Sequence, residues 1–344
     1  MKPTLKDIAR KVGVNVSTVS RVLNNSAKIS EEVKKRVIAM AEELNYYPNV
    51  MARALITKRS YTVGLVLPGF DFMFGGFFQE ILRGIEMELD RRHYNLHLTR
   101  FSGSTHNSFT HSVRSGIIDG AMVLGDRLSV EDIGKFGHIS VPVILLNRHD
   151  MVRNSHCASV DNVRGGVLAA EHLLFHGYRS FVFIGGDKEM HVTQERLRGF
   201  DRGLRVLRAT GSPSDLKTAR QSVYCNFARG LEEGYEVMGK VELDLKNGTG
   251  IFCANDHLAI GVLKYLREKS LAVGKTVGVV GYDNLDIDGS VFPALSSVDQ
   301  KGMELGERAA KMLIDIIEGK ASESAYTAEP ILIRRASCGC DRKD

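Results

Sequence analysis

Residues whose types could do chemistry fall in two places along the chain. Near its start, Val16, Ser17 and Thr18 are followed one helical turn later by Arg21. Small side chains let a helix approach base edges, and the planar fork of an arginine matches O6 and N7 of guanine. The hydroxyls of Thr4, Ser17, Thr18 and Ser20 suit phosphate oxygens. Further along, polar residues stand where apolar runs stop: Asn147-Arg148, Asn255-Asp256 and Asp283-Asn284, with Arg196 and Phe227 in or near the connections. Polar groups of these kinds fix sugar hydroxyls, and an aromatic face covers the apolar side of a pyranose, so the second set suits a sugar or sugar derivative. Taken singly, each residue also suits a helix cap or a lobe-stabilising bond. Asp256 in particular suits the cap of a helix over His257–Lys269.

Catalytic and metal-binding patterns are missing. Gly185-Gly186 follows a strand-like run, but neither G-x-G-x-x-G nor G-x-x-x-x-G-K-[ST] occurs, nor a nucleophile elbow or H-E-x-x-H. The eleven histidines are dispersed, and His106 with His111 does not make a metal site. Cys338 and Cys340 form a C-x-C, but no other Cys or His lies near them in sequence at ligand spacing. Five scattered cysteines do not form a disulfide framework, so free thiols in a reducing cytoplasm are expected, with no metal, no cofactor and no enzyme activity.

The elements that must position these residues differ between the two ends. Leu5, Ile8, Ala9 and Val12 form one apolar stripe, opened by Thr4 with Asp7 as a capping-box variant and closed by Gly13. Asn15 caps a second helix, whose Val19, Val22 and Leu23 point away from Ser17, Ser20 and Arg21. A third helix after Ser30 buries Val33, Val37, Met40, Ala41 and Leu44. Two short helices joined by a tight glycine turn and braced by a third make a helix-turn-helix. Charge agrees: residues 1–60 hold 12 basic and 5 acidic residues, whereas the remainder holds 34 and 36. Such an asymmetry fits a nucleic-acid-binding head on a near-neutral body.

From Tyr61 on, strand-like runs alternate with helical periodicity. Thr62–Leu67, Asn95–Phe101, Gly120–Leu124, Pro142–Asn147, Ser180–Gly185, Gly250–Ala254 and Thr276–Gly281 read as buried parallel strands. Phe77–Arg92, Gly166–His176, His257–Lys269 and Met303–Gly319 read as helices. Seven strands over this length exceed one comfortable sheet, so two α/β lobes with a cleft between them are expected. The ligand then belongs beyond the carboxyl ends of the strands. No stretch approaches the roughly 20 apolar residues that span a bilayer, and the N-terminus shows no secretory leader.

The head resembles that of the lactose/galactose-repressor family. The match runs through Thr4-Leu5-Lys6-Asp7-Ile8-Ala9, Val12-Gly13-Val14 and Ser17-Thr18-Val19-Ser20-Arg21-Val22-Leu23-Asn24. It continues through Ala41-Glu42-Glu43-Leu44-Asn45-Tyr46-Tyr47-Pro48-Asn49 and Ala52-Arg53-Ala54-Leu55. The resemblance implies a second helix in the major groove of operator DNA. It also implies a hinge helix in the minor groove whose wedge is Leu55, and adds Asn24, Asn49 and Ala52 to the DNA-facing set. An isolated helix of about seven residues is marginal in water, so such a hinge forms only on DNA with a partner hinge. In the body, Asp161-Asn162, Glu171-His172-Leu173-Leu174, Glu195-Arg196-Leu197-Arg198-Gly199-Phe200, Ala254-Asn255-Asp256 and Val279-Val280-Gly281-Tyr282-Asp283-Asn284 are similar to the same family. This implies the fold of periplasmic sugar-binding proteins, with effector contacts from Asn147, Arg196, Phe227, Asn255 and Asp283. The loop Gly69–Gly76 departs from the family pattern, with Gly75-Gly76 where Asn-Pro is usual.

The expected organisation is therefore a helix-turn-helix domain over residues 1–48, a hinge and linker over 49–59, and a two-lobed doubly wound effector-binding and dimerisation domain over 60–344. The expected function is repression from double-stranded operator DNA by a cytoplasmic homodimer, modulated by a sugar bound between the lobes. The tail after Met303–Gly319 offers no leucine heptads for a tetramer. A global carbon-catabolite regulator governed by a phosphoprotein partner is the alternative, since its head would look the same.

Overall fold

The computed structural model describes residues 3–23, 29–46, 59–67, 76–101, 108–125, 128–148, 155–210, 220–224, 230–321 and 323–340. The chain forms two compact units, Met1–Ser60 and Tyr61–Asp344.

In the first unit, α1 (Leu5–Val12), α2 (Val16–Leu23) and α3 (Glu31–Glu43) follow one another closely. Thr4 donates its backbone N–H to the Asp7 carboxylate at 2.9 Å, which satisfies one of the orphan donors at the start of α1. Gly13 takes φ 75° and ends the helix, a left-handed conformation that costs glycine no Cβ clash. The backbone carbonyl of Asn15 receives the N–H groups of Thr18 and Val19 to open α2. Ile8, Ala9, Val12, Val19, Val22, Val37 and Ala41 make the buried core. Arg36 of α3 donates to the Val12 carbonyl at 2.7 Å, tying α3 to the end of α1.

The second unit is built on two six-stranded sheets. The N-terminal lobe starts with β1 (Thr62–Leu67), α4 (Gly76–Arg92), β2 (Asn95–Arg100), α5 (Ser108–Arg114), β3 (Gly120–Leu124), α6 (Val130–Phe136), β4 (Val143–Leu146) and β5 (Ser155–Val160). The C-terminal lobe follows with α7 (Asn162–Phe175), β6 (Ser180–Gly185), α8 (His191–Thr210), β7 (Arg220–Tyr224), α9 (Leu231–Val237), β8 (Thr249–Cys253), α10 (Asp256–Glu268), β9 (Val277–Tyr282) and β10 (Ser296–Asp299). The chain then returns to the first lobe with α11 (Gly302–Ile317) and β11 (Ala325–Ala328), and ends in the second with β12 (Ile331–Ile333). The first sheet, ordered β11-β5-β4-β3-β1-β2, is parallel throughout. The second, β12-β10-β9-β8-β6-β7, is parallel except for β12 at its edge.

All seven strands expected from sequence are present within a residue or so at each end. Five more, β5, β7, β10, β11 and β12, were not expected. All five lie at or next to sheet edges, and β10 carries Ser296, Ser297 and Asp299. Short polar strands of this kind lack the continuous apolar run that marks a buried parallel strand.

Three connections cross between the lobes, at Asp161, at Gln300-Lys301 and at Glu329-Pro330. Two of them touch: the Asp161 N–H donates to the Ala328 carbonyl at 3.1 Å. Within each lobe, paired glycines set how closely neighbouring helices approach. A Cβ on Gly84 of α4 would meet the Met303 carbonyl of α11 at 1.9 Å, and one on Gly306 would meet the Ile81 carbonyl at 2.1 Å. The same reciprocal arrangement joins α7 to α8 through Gly166 and Gly199, and α9 to α10 through Gly234 and Gly261.

Candidate nucleic-acid interface and effector cleft

On the first unit, α2 buries Val19 and Val22 and leaves Val16, Ser17 and Arg21 exposed, with Thr18 and Ser20 half-buried. The expected reading face is thus presented outward on one short helix. Thr4 differs from expectation. Its hydroxyl donates to the Asp7 carboxylate at 2.7 Å, so its single O–H is committed to the cap of α1 and is not available to a phosphate at the same time. The same bond, with the backbone N–H of Thr4 and then the Arg10 charge, holds the Asp7 carboxyl below the usual carboxylate range. Asn24, Asn49, Ala52 and Leu55 lie outside the described residues.

In the second unit, the expected polar residues sit at the carboxyl edges of the two sheets. Asn147 follows β4 at φ 57°, a left-handed position that asparagine tolerates. It is 3% exposed, and its side-chain oxygen is buried with no hydrogen-bond partner. Buried polar atoms are paired in the great majority of cases, so a lone acceptor at a strand end points to a ligand donor. In the other lobe, Nδ1 of His191 and Oγ1 of Thr193 are likewise buried without a hydrogen-bond partner, at the start of α8 and beyond the end of β6, with a Glu195 carboxylate oxygen 3.6 Å from the His191 nitrogen. Neither was singled out in the sequence. Their one signal was the Gly185-Gly186 turn just upstream.

Arg196 is buried and braced on three sides. Its Nε donates to Asn162 Oδ1 at 2.9 Å, one terminal nitrogen donates to the Ala254 carbonyl, and the other donates to Gln300 Oε1 at 3.0 Å. Its guanidinium also lies 3.8 Å from the centre of the Tyr282 ring. These bonds occupy three of its five N–H groups. Gln300 in turn donates to the Asp283 carboxylate. Asn162, Arg196, Gln300 and Asp283 thus form one chain of bonds that includes a lobe crossover. Asn162 and Gln300 were missed in the sequence because each is an isolated amide whose partners lie far along the chain.

Arg148, Asn255 and Asp256 each make structural contacts. Arg148 donates to the Leu128 carbonyl at 3.1 Å and packs against Gly125, so it holds the loop after β3. Asn255, and not Asp256, caps α10: its Oδ1 accepts from the Leu258 N–H at 2.8 Å. Asp256 lies just inside the helix, fully buried, accepting from Ser297 at 2.7 Å and from the Leu285 N–H at 3.2 Å. Beside it Asp288 is also fully buried, and burial together with the Asp256 charge pushes its carboxyl up to about 9. Phe227 lies outside the described residues, as does the Gly69–Gly76 loop up to position 75.

Gly76 begins α4 and faces the other lobe: a Cβ there would meet Leu285 at 2.0 Å. Beside this contact lies a cavity of about 220 Å³ lined by Gln79, Glu80, His257, Asn284 and Leu285 among others. Its lining includes none of Asn147, Arg196 or Asp283, so it adjoins the polar set without coinciding with it. No helix among the described residues is long and apolar enough to cross a membrane.

Comparison with known proteins agrees with both halves. Residues 4–49 match the family model for bacterial regulatory proteins of the lacI family, and residues 170–338 match a periplasmic binding protein-like domain. The chain is 28% identical over 341 residues to the HTH-type transcriptional regulator RegA of Clostridium saccharobutylicum, covering 98% of this chain and 99% of that protein. It is 27% identical over 343 residues to the HTH-type transcriptional repressor PurR of Pasteurella multocida, covering 97% and 98%. Among solved structures, the complex of the transcriptional regulator CelR with cellobiose aligns at TM-score 0.66 and 26% identity, over 97% of this chain and 99% of that one.

Proposed function

This chain belongs to the lacI family of bacterial regulatory proteins, and from that premise we propose that it represses transcription from a specific operator under the control of a sugar. The observation that carries the DNA-binding half is α2, a helix whose apolar residues are buried and whose Val16, Ser17 and Arg21 are exposed. The unpartnered oxygen of Asn147, at the carboxyl edge of a doubly wound lobe, supports a hydroxyl-rich ligand in the cleft. The cellobiose complex of CelR supports the same chemical class. Each head supplies one recognition helix, so the protein acts as a two-fold dimer on paired half-sites. The body binds and signals, with no catalytic role, and the protein works in the cytoplasm beside the chromosome.

Selection of bound duplexes from a random library tests this reading. A two-fold-symmetric consensus, with half-sites one helical turn apart, is the expected outcome. Binding that enriches no sequence, and weakens equally on all duplexes as salt rises, would contradict it.

A further inference from the structure

We propose that His172, His176, Cys338 and Cys340 bind a Zn(II) ion, which clamps the C-terminal segment to the C-terminal lobe. The histidine pair and the cysteine pair are separated by more than 160 positions, yet the four ligand atoms all lie within 4.8 Å of one another. Nε2 of His172 is 3.0 Å from the Cys338 sulfur and 3.4 Å from the Cys340 sulfur. Nε2 of His176 is 3.4 Å from the Cys340 sulfur, and the two sulfurs are 3.3 Å apart. Tetrahedral zinc, with bonds of about 2.3 Å to sulfur and about 2.0 Å to nitrogen, holds its ligand atoms about 3.3–3.8 Å apart. Metal entry therefore asks the four pairs at 3.0–3.4 Å to open by at most about half an ångström, and the remaining pairs, within 4.8 Å, to close by about an ångström or less.

Local structure explains why they converge. His172 and His176 are one turn apart at the end of α7, so both rings rise from the same side of the helix. Gly339 takes φ 102°, which folds the C-x-C back on itself and brings both sulfurs to one side. The segment that carries the cysteines is itself anchored. Ser337 accepts from the Ser296 N–H at 2.8 Å and donates to the Val279 carbonyl at 2.6 Å, and Tyr178 donates to the Cys338 carbonyl at 3.2 Å. The Ser296 hydroxyl lies 3.0 Å from both the Arg335 carbonyl and the Cys338 sulfur, so its one O–H can turn from the carbonyl to a thiolate ligand when metal binds.

The donor set selects the metal. Two thiolates with two imidazoles suit zinc, and four protein ligands fill a tetrahedral shell with no place left for water, which makes the role structural. Binding is a simple exchange: the ion enters from the side of Cys340 and His176, the two thiols release their protons to solvent, and no electron is transferred. The clamp also bears on the cleft. Arg335, three residues before Cys338, donates to Asn284 at 2.7 Å, and Asn284 lines the cavity beside Gly76.

The test uses the full-length reduced protein, stripped of metal and then given Zn(II) or, as a coloured probe, Co(II). One zinc per chain should survive dialysis, and Co(II) should show tetrahedral ligand-field bands with a thiolate charge-transfer band. Cys340→Ser and His176→Gln should each lower retained zinc by more than about tenfold. Should either variant fold poorly, alkylation of wild-type Cys340 gives the same answer, because bound Zn(II) should protect it. No retained zinc in the wild type, retention unchanged in the variants, no protection from alkylation, or a Cys338–Cys340 disulfide in freshly isolated protein would each overturn the proposal.

Discussion

An arginine that reads a base and one that grips a phosphate respond differently to truncation. Arg21 stands exposed on α2, one turn beyond Ser17. Arg21→Ala should cost about 1–3 kcal/mol on the operator and relax the preference at one base pair, as measured by competition between operator variants. Equal weakening on operator and random DNA would make it a phosphate anchor. Asn147 separates ligand binding from folding in the same way. Its side-chain oxygen has no partner to lose, so Asn147→Ala should cost only the about 1–2 kcal/mol of holding alanine at a left-handed φ, while abolishing stabilisation of the body by the cognate sugar. A full thermal response in that variant would remove Asn147 from the site. Asp288 gives a pH signature. Its carboxyl is held up to about 9 by burial and Asp256, whereas in the unfolded chain it titrates near 4. Between these values the folded chain keeps a proton that the unfolded chain has released, so this stability is full below about pH 4 and is lost as pH rises through about 9. Asp288→Asn cannot ionise, and its stability relative to the wild type should climb when urea titrations at pH 5 and pH 8 are compared. A constant difference would mean that Asp288 is ionised in the fold.

Helix pairs in this molecule are set by glycine, and two glycines with opposite surroundings make the point testable. Helix propensity alone favours alanine over glycine by about 0.5–1 kcal/mol. At Gly134 in α6 an added Cβ meets nothing within 4 Å, so Gly134→Ala should stabilise by about that amount. At Gly84 it meets a backbone carbonyl at 1.9 Å, which cannot yield without parting α4 from α11. Gly84→Ala should therefore destabilise by about 1–3 kcal/mol, the usual cost of overpacking. Chemical denaturation of the two variants checks the sign, and a stabilising Gly84→Ala would refute the close approach. These elements also show what could be read beforehand. Six of the seven expected strands lie inside their sheets and were legible because burial on both faces demands continuous apolar runs such as Thr62–Leu67, whereas β2 is an edge strand with only Thr99 buried. The polar strand Ser296–Asp299 was not legible, since hydrogen bonds to Ser337 and Asp256 make its serines good core residues. The cap of α10 was legible only as a pair, Asn255-Asp256, and the fold gives the cap to Asn255 and the burial to Asp256. The Cys338-Gly339-Cys340 turn gave no hint of His172, because the sheet and not the sequence brings them together.

At the scale of the whole molecule, the three lobe crossovers are the place where ligand binding can become motion. Arg196 and Asp283 both bond to Gln300, which sits in the second crossover, so a ligand that engages either side chain acts directly on the joint between lobes. A ligand shifts the DNA-bound population only through its different affinity for the two lobe arrangements, and the coupling is reciprocal. Typical coupling of about 1–3 kcal/mol corresponds to about a 5- to 150-fold change in operator affinity. The most direct test is a titration of the selected operator into the dimer, with and without the sugar that most raises the thermal midpoint of the body. Operator affinity should change by about 5-fold or more with that sugar in the wild type, and should not change in Asn147→Ala. Operator affinity that stays the same at saturating sugar in the wild type would contradict the account, because the cleft would then bind a ligand without governing the DNA.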